Sequence, residues 1–206
     1  MRLRLLALLA LLAPVLVACG GDDGGGSDAA SDETCSYVKD GDAAKEAKLP
    51  PSEPTSAETL TVATNRGDIK LTLTPDAVPC TVNSFVSLAE QGYFDDTKCH
   101  RLVPGFVLQC GDPAATGAGG PGYRFDDELT GDETYPAGTL AMANAGPDTN
   151  GSQFFIVLAD AELPPSYTVF GKVDEAGLAV ARAIEKDGNG PDGVAPAKDV
   201  VIESVS

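Results

Sequence analysis

Glycine and proline cut this chain into short pieces, with 23 glycines and 15 prolines spread over 206 residues. Both weaken helix interiors, and proline also removes a ladder hydrogen bond from a central strand. What survives between them is a series of short apolar runs suited to strands, and only two stretches with a helical apolar face. Many short strands, turn residues between them and two helices predict a mainly β barrel or sandwich with peripheral helices.

The pattern begins near residue 60. Leu60 and Val62, then Ile69, Leu71 and Leu73, alternate with polar residues on either side of Asn65, Arg66, Gly67 and Asp68, which predicts a hairpin. The Arg66-Gly67-Asp68 tripeptide is read as a solvated turn rather than an adhesion motif, because turns favour these residue types. Val82, Phe85, Val86 and Ala89 mark one helical face between Pro79 and Gly92. Leu178, Val180, Ala181 and Ile184 mark a second over 175–186, before Gly188. Further apolar runs lie at 99–103, 106–109, 140–143, 154–158, 168–173 and 200–205. No internal repeat is present.

Upstream the texture differs. Arg2 and Arg4 precede an apolar run over 5–17 that Pro14 interrupts and that is shorter than the ~20 residues a bilayer span needs. Residues 1–18 therefore read as a signal peptide. Leu16-Val17-Ala18-Cys19 resembles a bacterial lipobox, in which Cys19 is lipidated and becomes the mature N-terminus. The expected location is exported, on the outer face of the cell membrane, with the lipid as the sole membrane contact. Residues 19–58 are small and acidic, then proline-rich around 49–54, and read as a flexible tether that Cys35 pins in part.

Residues 59–206 are left as one folded domain, a length that suits a single core and a monomer. The net charge is −17, and loss of Arg2 and Arg4 leaves 12 basic against 31 acidic residues, or −19. That balance argues against nucleic acid as a partner and reads as a solubility device.

Several chemistries are excluded by what is missing. His100 is the only histidine, flanked by apolar strand residues, so a serine or cysteine triad lacks its base. Ser152 has no nucleophile-elbow context. One histidine and scattered cysteines supply no metal-ligand spacing, so no metal and no cofactor is expected, and His100 reads as a satisfied core residue. The glycine run 117–122 lacks a phosphate-loop lysine. Asn150-Gly151-Ser152 matches a glycosylation acceptor, a use that the lipobox argues against. What remains is Arg101 on a strand, Phe106 and Gln109 on the next, and an uncharged stretch 142–147 leading to Gln153, Phe154 and Phe155. An arginine among aromatics and amides can hold an apolar ring while donating hydrogen bonds.

Residues 100–112 (His-Arg-Leu-Val-Pro-Gly-Phe-Val-Leu-Gln-Cys-Gly-Asp) and 142–155 (Met-Ala-Asn-Ala-Gly-Pro-Asp-Thr-Asn-Gly-Ser-Gln-Phe-Phe) resemble the two signatures of the cyclophilins. Val169-Phe170-Gly171-Lys172-Val173 adds a third match in the right order. The resemblance covers the folded part, and it implies an eight-stranded antiparallel β-barrel capped by two α-helices. It also implies a peptidyl-prolyl cis-trans isomerase whose partners are proline-containing segments of client polypeptides. Carried over residue by residue, it makes Arg101 catalytic. Phe106, Val107, Phe155 and Leu163 would wall a proline pocket, while Gln109, Ala143, Asn144, Gln153 and Tyr167 would line the peptide's path. A groove-binding chaperone or adhesin with little turnover is the rival reading of the same pocket.

This sequence departs from the family at Leu163, where a tryptophan is common, and at Val107, Tyr167, Cys99 and Cys110. With Cys19 lipidated, Cys35, Cys80, Cys99 and Cys110 remain as disulfide candidates with three possible pairings. If Arg101 and Gln109 share the active face of their hairpin, strand alternation puts Cys99 on that face and Cys110 on the other. Those two are then expected not to bridge each other, and Cys35 and Cys80 are each expected to pair with one of them.

Overall fold

The alternation around Gly67 folds as a hairpin in the computed structural model, which describes residues 34–206. The signal peptide, the lipobox with Cys19 and the first part of the tether lie outside the described residues. In chain order the elements are β1 (Val38–Lys39), β2 (Thr59–Thr64), β3 (Gly67–Leu73), α1 (Pro79–Glu90), β4 (Thr97–Lys98), β5 (Arg101–Val103) and β6 (Val107–Cys110). They continue with β7 (Tyr123–Arg124), β8 (Thr139–Met142), β9 (Phe154–Val157), β10 (Val169–Val173), α2 (Glu175–Asp187) and β11 (Val201–Val205).

Nine strands form one antiparallel sheet in the order β4-β11-β2-β3-β10-β8-β9-β6-β5. Its two end strands, β4 and β5, are consecutive in the chain and separated only by Cys99 and His100. The segment 97–103 therefore curls the sheet back on itself, pairing with β11 at one end and β6 at the other. Counted as one broken strand, it reconciles the nine observed strands with the eight implied by the family resemblance.

Period-two alternation places Ile69, Leu71 and Leu73 inside. α1 covers this core with Val82, Phe85 and Val86, and the Phe85 ring lies 5.1–5.3 Å from those of Phe94, Phe154 and Phe170. Each such ring contributes on the order of 1.5–3 kcal/mol by leaving water. The N-terminus of α1 has no local side-chain cap. Glu128 supplies one from a distant loop, accepting from Cys80 N at 2.9 Å and Thr81 N at 2.7 Å, where the helix dipole favours a carboxylate. α2 is capped by Asp174, whose side chain accepts from Gly177 N at 2.7 Å, and it buries Ala181 and Ile184.

Residues 34–58 correct the expectation of a flexible tether over that stretch, because they run as a strap along α1. Cys35 is bonded to Cys80 at the start of the helix. The Tyr37 hydroxyl donates to Cys80 O at 2.8 Å, and Asn83 Nδ2 donates to Pro51 O at 2.7 Å. Farther along, Lys45 Nζ donates to the carbonyls of Gly92 and Asp95. β1 pairs with β7, and the Tyr37 ring meets Tyr123 and Phe125 edge-on. A composition read as disordered is held by one covalent bond and by backbone and side-chain bonds to partners far away in sequence.

The second bond, Cys99 to Cys110, overturns the expectation that these two do not pair, and with it the pairing of Cys35 or Cys80 to either of them. Alternation holds only within a continuous ladder. Arg101 pairs with Gln109, but the chain leaves that ladder at His100, and Cys99 N donates instead to Val200 O at 3.0 Å. The change of partner turns Cys99 inward, so it joins Cys110 in the closed core.

Candidate active site

The β5-β6 hairpin carries the first half of the site. In its register Arg101 faces Gln109 and Val103 faces Val107, while Leu102 and Leu108 point into the core. Gln109 also faces Phe155 on β9, and Phe155 faces Ala141 on β8. Three adjacent strands thus bring Arg101, Gln109 and Phe155 to one outer face by alternation alone.

On that face lies a cleft of about 220 Å³ lined by Arg101, Phe106, Val107, Gln109, Ala143, Asn144, Phe155, Leu163 and Tyr167. Every residue that the resemblance assigned to the proline pocket or the peptide path is therefore together, with one displacement. Gln153 lies outside the cleft's lining, in an adjoining depression that shares Gln109, Ala143 and Asn144 with it, and accepts from Gln109 Nε2 at 2.8 Å. Gln109 Oε1 in turn accepts from Arg101 Nη1 at 3.1 Å, and Arg101 is half-buried in the lining of the cleft. Gln153 is itself held by Nε2 bonds to the carbonyls of Gly117 and Gly119, at 3.1 and 2.9 Å.

That loop is built around Asp112, which is fully buried. Its carboxylate accepts from the backbone N–H groups of Ala114, Thr116, Gly117 and Gly119 at 2.7–3.1 Å, and from the Thr116 hydroxyl. Burial pushes the Asp112 carboxyl up, but these donors outweigh it and hold it below the usual carboxylate value. Next to it, Gly111 has a φ of 89°, and a Cβ there would stand 2.2 Å from Ser152 O, so only glycine lets β6 pass this close to the segment leading into Gln153.

The opposite lip of the cleft is the loop with Leu163 and Tyr167. Sequence reasoning passed over the residue that holds it. Tyr135, buried beneath, donates or accepts through its hydroxyl at Tyr167 O (3.1 Å), Pro164 O (3.3 Å) and Tyr167 N (3.1 Å). Burial pushes its phenol up, which keeps it a neutral donor. Asn144 Nδ2 braces the same loop at Ser166 O, at 2.8 Å, and the Phe155 and Tyr167 rings meet edge-on at 5.6 Å. The signal for Tyr135 is a lone aromatic in a polar loop, too weak to single out.

Two excluded motifs are accounted for. Arg66 is tied to Asp187 at 2.5 Å, and Asn150 is fully buried with its amide on Asp127. Among the described residues no three His, Cys, Asp or Glu side chains gather as metal ligands.

The cleft, with Arg101 beside Phe106, Val107, Phe155 and Leu163, lies on the outer face of a curled antiparallel sheet. Residues 59–206 match the family described as cyclophilin type peptidyl-prolyl cis-trans isomerase, and the chain belongs to that family. It is 48% identical over 193 residues to a probable peptidyl-prolyl cis-trans isomerase B of Mycobacterium leprae, covering 83% of this chain and 65% of that protein. The chain thus spans slightly less than two thirds of the length of the mycobacterial isomerase B relatives it matches. It is 46% identical to peptidyl-prolyl cis-trans isomerase B of Streptomyces anulatus, over 70% of this chain and 93% of that one. Among solved structures, a Cryptosporidium parvum cyclophilin type isomerase in the presence of the dipeptide Ala-Pro matches with a TM-score of 0.65 and 34% identity, over 71% of this chain and 96% of that one.

Proposed function

We propose that this protein is a peptidyl-prolyl cis-trans isomerase in which Arg101 lowers the barrier to rotation about an X-Pro bond. That barrier, roughly 18–20 kcal/mol, comes from resonance between the amide nitrogen and its carbonyl. The observation that carries the reading is the Arg101 guanidinium, held by Gln109 at the edge of a slot walled by Phe106, Val107, Phe155 and Leu163.

A proline ring seated in the slot would bring its nitrogen toward the guanidinium. As the bond twists, the nitrogen loses resonance and its lone pair becomes available to accept a hydrogen bond. A donor waiting there binds the twisted state better than the planar one, which is the condition for catalysis. Arginine suits the role because it is permanently cationic and offers several donors. The Gln109–Gln153–Gly117 chain of hydrogen bonds fixes its position in advance, and Asn144 and Ala143 border the path of the peptide. No bond to the client forms or breaks.

The mature protein is exported and held to the outer membrane face by a lipid on Cys19, where it assists folding of proteins with slow X-Pro bonds. The Leu16-Val17-Ala18-Cys19 pattern and the two disulfides support this. The deciding assay is isomerisation of a short X-Pro peptide by wild type and Arg101→Ala. An inactive wild type would leave a binding module, and an unchanged variant would remove Arg101 from its role. Mass spectrometry of the membrane-bound form should find a lipidated Cys19 at the N-terminus; a free protein beginning elsewhere would refute the anchor.

A further inference from the structure

The strap lies outside residues 59–206, the part that matches the family, yet it reaches the edge of the client's path. β1 pairs with β7 through Val38 and Arg124; beyond it Asp40 N donates to Gly122 O at 3.0 Å and Ala44 N to Gly120 O at 2.9 Å. Gly122 permits this approach, because its φ is 76° and a Cβ there would stand 3.0 Å from that of Ala43. Residues 40–44 therefore lie against the glycine loop, whose Gly117 and Gly119 carbonyls hold Gln153 and, through it, Gln109.

A depression of about 510 Å³ runs from the strap to the proline cleft, sharing Gln109, Ala143 and Asn144 with it. Three charged residues line it: Asp40 and Asp42 on the strap, and Arg124 on β7. Arg124 is committed, with Nε 3.5 Å from the Asp40 carboxylate and Nη1 donating to Asp148 O at 2.8 Å. Asp42 is exposed and pairs with no cation among the described residues. The strap's lysines do not offset it. Lys45 is bonded to the carbonyls of Gly92 and Asp95, and neither Lys39 nor Lys45 lines the depression. Two carboxylates against one guanidinium leave the lining with one net negative charge among otherwise uncharged groups.

We propose that residues 40–42 of the strap form the outer wall of a client subsite that receives a lysine or arginine side chain a short distance along the peptide from the isomerising proline. An extended chain advances about 3.3–3.6 Å per residue, so a segment seated at Arg101 and passing Asn144 comes alongside the strap in about two to four residues. There the aliphatic stem lies on Ala143 and Ala145 while the cation meets the carboxylates at the exposed rim and keeps much of its hydration. The subsite rests on the isomerase reading, which supplies the peptide. It makes the strap, a segment outside the family match, a determinant of client choice.

The test uses peptides with a common Ala-Pro core, carrying lysine, norleucine or glutamate at each position two to four residues to either side. Norleucine keeps the stem and removes the charge. At one position kcat/KM should follow lysine, norleucine, glutamate in falling order, with lysine ahead of norleucine by about twofold to fivefold at low salt, the range of an exposed ion pair. The ratio should shrink in 1 M salt, where the Debye length is about 3 Å. Asp42→Asn balances the lining charges and should bring the lysine-to-norleucine ratio toward one, whereas Arg124→Gln should raise it. Glu203→Gln removes the same charge from β11, which lines neither depression, and should leave the ratio as in wild type. Equal rates for lysine and norleucine at every position, a preference for glutamate, or a ratio that survives Asp42→Asn overturns the subsite. So does a lysine preference spread evenly over all positions and lowered equally by Glu203→Gln, which would belong to the chain's overall charge. If no peptide turned over, the isomerase reading would fail instead, and the same ratios taken from binding affinities would still decide the subsite.

Discussion

β9 belongs to two apolar clusters at once. Phe154 and Ile156 face the closed core with Phe85 and Phe94, whereas Phe155 and Val157 face an outer cluster with Val107, Tyr135 and Ala141. All four residues are buried, and the strand reads as a continuous hydrophobic run. The difference lies in what covers each face. The inner one is sealed by α1 and the rest of the sheet, but the outer one is only partly roofed, by the Leu163–Tyr167 loop, and what that loop leaves open is the cleft. A buried side chain can thus serve stability on one side of a strand and a client on the other.

The largest expected effect puts the two neighbours side by side. Phe154→Ala should cost about 3–5 kcal/mol of unfolding free energy in denaturant titration, because the sealed core cannot collapse around the void. Phe155→Ala should cost clearly less and should lower kcat/KM by more than about tenfold. Equal stability losses would erase the distinction between the clusters.

The two disulfides offer the next contrast. They close loops of different length, with sequence separations of 45 and 11 residues. On the chain-entropy account, replacing Cys35 and Cys80 by serine should cost about 4 kcal/mol, against about 3 kcal/mol for Cys99 and Cys110. The first pair anchors the strap outside the barrel and the second ties the segment carrying Arg101. Activity measured where both variants are folded should therefore suffer only in the second. Residues 40–42 of the strap line a depression shared with Gln109, Ala143, Asn144 and Gln153, so a large activity loss from the Cys35 and Cys80 pair would mean that this staple holds the peptide's path as well.

Arg101→Ala sharpens the comparison from the open side. It should lower kcat/KM about 10²- to 10³-fold, the cost of one aimed donor, while the thermal midpoint changes little. A matching loss of stability would make Arg101 a packing residue.

The smallest effect concerns Asp112. Its carboxyl titrates lower in the folded protein than in the unfolded chain, so its contribution is complete above the usual carboxylate range and is lost as pH falls through the depressed folded value. Asp112→Asn should cost about 1.5–3 kcal/mol at neutral pH and should flatten the acid limb of the stability profile. An acid limb identical to wild type would show that another carboxylate governs it.

The cleft was legible because the stretches that resemble the cyclophilin signatures contain most of its residues. Arg101 and Gln109 lie on one short hairpin, Phe155 ends the signature stretch 142–155, and once β6 pairs with β9 period-two alternation brings them to one face. The helices were legible from their apolar spacing, with Pro79, Gly92 and Gly188 standing at or just beyond the observed ends of Pro79–Glu90 and Glu175–Asp187. Where alternation was extended one residue too far, it misled. Cys99 lies beyond His100, where the chain exchanges β6 for β11, and its direction depends on Val200, about a hundred residues away.

By itself, then, the sequence determined the strand-rich class and the two helices, because these follow from spacing within continuous elements, while its resemblance to the cyclophilins supplied the family and the candidate residues of the cleft. Only the tertiary structure decided which cysteines meet, that residues 34–58 strap α1 and that Tyr135 holds the lip. Each of these depends on which remote segments come into contact, and that is set by closure of the sheet, not by any local period.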